Sequence, residues 1–134
     1  MDIETILSGF NTAYSLLVNS MDKFKANKKE KTDHVKSICE NVSNCLFATA
    51  DEIEQGKVPY GKCGEIQLYA QMLHVSVKQI LGDAIATTLF DSLMQSYNVE
   101  KMAQDIMQHP DKEKYIGKIK ESAGNFRGVV NMMP

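Results

Sequence analysis

The sequence predicts an all-α fold, an antiparallel up-down helical bundle of about four main helices with a short C-terminal helical appendage. Three observations carry that reading. The first 55 residues contain one glycine, Gly9, and no proline, so nothing punctuates long helices there. Two apolar seams in that stretch repeat in alternating steps of four and three, the spacing of one helix face rather than of a strand. The composition, 43% hydrophobic and 24% charged over 134 residues, is that of one ordinary globular domain and not of a disordered chain.

The first seam runs Ile3, Leu7, Phe10, Tyr14, Leu17, Met21 and Phe24, with Ile6, Ala13 and Val18 widening the stripe. A lysine-rich turn follows at 25–31, and Thr32 or Asp33 is placed to cap a second helix by accepting from its free N–H groups. The second seam is Val35, Cys39, Val42, Leu46, Thr49 and Ile53; Gly56, Pro59 and Gly61 then close the turn 55–62.

A third helix is expected from Lys62 or Cys63, with Ile66, Tyr69, Ala70 and Leu73 inward. The β-branched stretch His74–Val77 predicts a kink, and Leu81, Ile85, Leu89 and Leu93 resume the pattern, so residues 62–97 read as one bent helix or as two. Asn98 is the expected N-cap of a short helix bearing Val99, Met102, Ala103, Ile106 and Met107. After Pro110, Tyr115, Ile116 and Ile119 predict a last amphipathic turn before Gly124. The bundle domain is therefore drawn at 1–123, with 124–134 as a separate C-terminal tail.

A net charge of −2 provides no global basic field, which argues against nucleic acid as a partner, because such binding rests on many phosphate contacts. Charge is nevertheless uneven: residues 25–36 carry five lysines against two acids, whereas 37–110 carry nine acids against four bases. Cys39, Cys45 and Cys63 are odd in number and lack metal-ligand spacing, as expected of reduced thiols in a cytoplasmic protein. The N-terminal residues lack the basic region of a signal peptide, and no apolar run reaches the roughly 18 residues that span a bilayer.

Catalytic templates find little to hold them. His34, His74 and His109 stand far apart in sequence, and no Glu-x-x-His pair is present to build a di-metal site. Cys63, beside Lys62 at a helix start, has the position of an activated thiol but no base is indicated. Gly61 and Gly64 precede no Lys-Ser/Thr pair, so no phosphate cradle forms. The expectation is a non-enzymatic protein with no cofactor and no metal.

Two helices joined through Glu54-Gln-Gly-Lys-Val-Pro-Tyr-Gly-Lys-Cys63 to a helix opening Gly64-Glu-Ile-Gln-Leu-Tyr-Ala70 resemble the bacterial helical-bundle domains of the Bell type over residues 1–95. That family is regarded as analogous to the fungal HeLo domain and to the four-helix bundle of the mixed-lineage kinase-like pseudokinase. In the tail, Gly128-x-x-Asn131-x-Met133 resembles the end of the amyloid motif through which necroptosis proteins assemble; the family places an aliphatic-Gln-aliphatic triplet before the glycine, where this chain has Asn125-Phe126-Arg127. Gly128, Val129, Val130, Asn131 and Met133 are thereby the expected assembly residues.

The resemblance implies an effector of bacterial cell death or antiviral defence that self-associates under an upstream receptor protein and then targets membranes. On that reading Ile3, Ile6, Leu7, Phe10, Tyr14 and Leu17 exchange the bundle for lipid, while Lys25, Lys28, Lys29 and Lys31 meet an anionic membrane surface once the protein is activated. The alternative is a helical protein-protein interaction or dimerisation module with no membrane activity, using a methionine-rich surface of Met94, Met102, Met107, Met132 and Met133.

Overall fold

The computed structural model describes residues 2–134, and among them all regular structure is helical. Seven helices follow in order: α1 (Ile3–Asn19), α2 (Met21–Lys25), α3 (Lys29–Glu54), α4 (Lys62–Leu81), α5 (Asp83–Gln95), α6 (Val99–Met107) and α7 (Lys112–Met132).

Both long seams are core. Ile3, Ile6, Leu7, Phe10, Ala13, Leu17, Met21 and Phe24 are buried, and Tyr14 and Val18 pack half-buried against them. Asp2 opens α1 by accepting from the Thr5 N–H at 2.8 Å, a bond that also holds its carboxyl below the usual aspartate range. The seam nevertheless crosses a helix boundary at Ser20, so the last turn, Met21–Lys25, belongs to α2.

The second helix begins earlier than its capping residues suggest. α3 starts at Lys29, and Thr32, expected as a cap, is fully buried inside its first turns. Its hydroxyl donates to the carbonyl oxygens of Phe24 and Lys28, so it satisfies the turn behind the helix instead of the N–H groups ahead of it.

Residues 62–97 form two helices, and the break lies at Gly82 rather than in His74–Val77. Gly82 adopts φ +88°, a conformation open to glycine and strained for other residues, whereas the β-branched stretch continues α4 without interruption. Asn98 caps α6 as expected, accepting from the Lys101 N–H at 3.3 Å.

The largest departure is at the C-terminus. Instead of a weak turn and a separate tail, residues 112–132 form one 21-residue helix, and Phe126, Val129, Val130 and Met133 are buried core residues. The helix continues through Gly117, Gly124 and Gly128 because its inward face is paid for by tertiary burial, which routinely overrides local propensity.

Each of the five long helices packs against two others: α1 on α5 and α7, α3 on α7 and α4, and α4 on α5. Hydrogen bonds fix several directions. Gln95 donates to the Thr5 carbonyl and Ser96 to the Ile6 carbonyl, while Gly9 lies against Ser92, so α1 and α5 are antiparallel. Lys120 pairs with Glu54 and Arg127 with Asn44, so α3 and α7 are antiparallel too. Glu4 with Lys118 and Asn11 with Ser122 make α1 and α7 a parallel pair. Short α6 buries Val99, Met102, Ala103 and Ile106 against α1, α3, α4 and α7.

Candidate functional site

The principal exposed apolar surface is on α4. Its inward face is Ile66, Ala70, Leu73 and Val77, all fully buried. A second apolar row, Leu68, Met72 and Val75, stands on another face at 52%, 41% and 61% exposure. Steps of four and three place these three side chains one above another, the arrangement that seats a facing helix.

α3 supplies the other wall of the groove. His34, Ser37, Ile38 and Asn41 face Leu68, Gln71, Met72, Val75 and Ser76 across a cleft of 390 Å³. Among the described residues no lysine, arginine, aspartate or glutamate lines it. Toward the start of α3 the cleft continues past Ser76 and Gln79 to Glu30, Lys31 and Asp33, where the wall becomes charged. Such a surface can bury an amphipathic face, and exposed His34 is the titratable side chain in its lining.

The methionine-rich partner surface is expected elsewhere, at Met94, Met102, Met107, Met132 and Met133. Met102 and Met133 are buried, Met94 and Met107 pack against the core, and only Met132 of that set is exposed. The signal that could have located the groove is the double periodicity of α4, in which residues 68, 72 and 75 form a seam of their own beside 66, 70, 73 and 77.

The residues expected to meet lipid fall into two groups. Ile3, Ile6, Leu7, Phe10 and Leu17 are in the core and Tyr14 is half-buried, so α1 offers this stripe to no external surface in this conformation. Lys25, Lys28, Lys29 and Lys31 are exposed, with Lys23 beside them, and none has a carboxylate partner within ion-pair distance among the described residues. They gather where α2 turns into α3, whose N-cap residue Lys28 makes no side-chain capping bond. Of the expected assembly residues, Val129, Val130 and Met133 are buried in helical or helix-end positions, Gly128 is half-buried and Asn131 is exposed.

The thiols lack the environment of a nucleophile. Burial pushes Cys39 and Cys45 up to about 12, and it also raises half-buried Cys63, whose Sγ faces Asn98 Oδ1 at 3.7 Å. Lys62 is engaged by Glu65 at 3.0 Å and held above its usual range by that hydrogen bond. Tyr69 donates to the same carboxylate at 3.4 Å, and Gly61 N–H donates to Glu100 at 2.8 Å. Glu52 Oε2 is buried nearby without a hydrogen-bond partner among the described residues.

The histidines remain apart. His74 makes an edge contact with Phe90, and His109 accepts from the Asp111 N–H while packing against Tyr115. No group of three or more His, Cys, Asp or Glu among the described residues could hold a metal ion. No described helix is long and apolar enough to cross a membrane. Comparison of the chain with protein-family models, with curated proteins and with solved structures finds no match.

Proposed function

We propose that this protein is a non-enzymatic helical interaction module that docks a partner helix in the α3–α4 groove. The observation that carries the reading is the row Leu68, Met72 and Val75, exposed at helix-docking spacing over a cleft whose described lining holds no lysine, arginine or carboxylate. The partner is a helix presenting an apolar face, since a charge buried against Leu68, Met72 and Val75 would lose its water and meet no polar group on that row. On this reading the scaffold is an up-down bundle, and its rigidity keeps the three side chains in register.

The test places a photo-crosslinking residue at Met72 and, as a control, at Asn19 on α1, in cells that make the protein. A discrete partner captured from position 72 alone, and lost when Leu68→Asp and Val75→Asp are added, supports the reading. Capture of a second copy instead would make the groove a dimer interface. Equal capture from both positions, or none from 72, would overturn it.

A second reading keeps the exposed lysines in view. It makes the chain a Bell-like effector of cell death or defence, whose lysines hold anionic headgroups after self-association under a receptor, while α1 leaves the core for lipid. Burial of each large α1 side chain contributes about 1.5–3 kcal/mol. Withdrawing Ile3, Ile6, Leu7, Phe10 and Leu17 together therefore costs on the order of the whole stability of a domain. Assembly and lipid contact must supply that energy. Leakage of anionic liposomes after forced oligomerisation, lost in Lys25→Glu with Lys28→Glu and Lys29→Glu, would favour it; intact liposomes under the same conditions would rule it out.

A further inference from the structure

We propose that residues 124–134 act as a strap, opening as a unit about Gly124 while the first half of α7 stays in place. The inference goes beyond the groove and does not depend on it. Three glycines, Gly117, Gly124 and Gly128, lie inside α7, and a Cβ added at any of them would meet nothing within 4 Å. No close approach requires them. Each weakens the helix relative to alanine, and Gly124 and Gly128 concentrate that weakness in a stretch that also carries Asn125, Val129, Val130 and Asn131, poor helix formers all.

The polar anchors of α7 are divided just as unevenly. In its first half Lys118 pairs with Glu4, Lys120 with Glu54 and Ser122 with Asn11, and buried Ser43 donates to the Ala123 carbonyl at 2.8 Å. Beyond Gly124 the side-chain polar contacts among the described residues are those of exposed Arg127, which donates to Asn44 at 3.0 Å and stacks over Phe47 at 4.8 Å. The second half is held mainly by its apolar residues Phe126, Val129, Val130 and Met133. A segment fixed by burial, with little local helix preference, is the kind that opens below the global unfolding threshold. Opening withdraws those four side chains from the core and bares the surfaces of α3 and α1 on which α7 packs.

Hydrogen exchange on the full chain tests this. The amides from Phe126 to Met132 should exchange at least ten-fold faster than those from Ile119 to Ala123 and than the core of α3. Gly124→Ala and Gly128→Ala should slow exchange of the 126–132 segment about five-fold each, the equivalent of the alanine preference in a helix, while core amides of α1 and α4 that exchange through whole-molecule unfolding slow by no more than that factor and stay the slower set. Exchange of 126–132 in step with α3 in the unmodified protein would overturn the strap. So would glycine variants that leave exchange of the 126–132 segment unchanged.

Discussion

Gly9 of α1 lies directly against Ser96 at the end of α5: a Cβ built on Gly9 would fall 1.9 Å from Ser96 Oγ and 2.5 Å from the Ser92 carbonyl oxygen. The same Ser96 hydroxyl is fully buried and donates to the Ile6 carbonyl. The two helices therefore meet at a point where only a hydrogen atom fits. This is why the single glycine of the first 55 residues sits in the middle of a helix, where it would otherwise only weaken the helix.

Gly9→Ala should destabilise the protein by about 1–3 kcal/mol, the usual cost of overpacking, even after the gain in helix preference. Gly117→Ala, with open space around it, should stabilise by up to about 1 kcal/mol. Urea unfolding of both variants checks the pair. Stabilisation by both substitutions would mean that α1 and α5 are not in close contact at Gly9.

Two methionines give a similar contrast. Met102 of α6 is fully buried, and Met102→Ala should cost about 2–5 kcal/mol through lost burial and the cavity left behind. Met72 of α4 is 41% exposed, and Met72→Ala should change stability by less than about 1 kcal/mol. Thermal or denaturant midpoints decide this. Comparable losses would show that the α4 row is covered in the free protein.

Ser43 offers a test of the α3–α7 contact. Its buried hydroxyl bonds the Ala123 carbonyl at 2.8 Å, so Ser43→Ala should cost about 1 kcal/mol. Ser37→Ala, on the exposed side of the same helix, should cost within about 0.5 kcal/mol. Unfolding curves for the two variants supply the comparison, and no difference between them would remove Ser43 from the contact.

The buried thiols predict an alkaline limit to stability. Cys39 and Cys45 have folded-state values raised from 9.0 to about 12, so the folded state keeps protons that the unfolded chain gives up. Their contribution is complete below pH 9 and declines between pH 9 and 12, by up to about 1.4 kcal/mol per pH unit for each thiol. Replacing both by alanine should lower stability near neutral pH yet flatten this alkaline slope. Denaturant titrations at pH 8, 9 and 10 measure it; an unchanged slope in the double variant would assign the decline to other groups.

The helical class and most of the core follow from local pattern, because a 3.6-residue repeat registers in sequence whenever one face is buried. Ile3 to Phe24 and Val35 to Ile53 are the clear cases, and Asn98 was legible as a cap because its chemistry is local. Where tertiary contact decides, the sequence misleads. Thr32 looks like a cap and is instead a buried donor to the preceding turn; the kink expected at His74–Val77 is continuous helix, and Gly82 is the positive-φ break. The glycine-rich end looks like a tail and is a helix, held by the burial of Phe126, Val129 and Val130 rather than by its own preference. The groove depends on the tertiary structure in the same way. An apolar row at 68, 72 and 75 can be read from the chain, but only the packing of α3 and α5 on the other faces of α4 determines that this row is the one left uncovered.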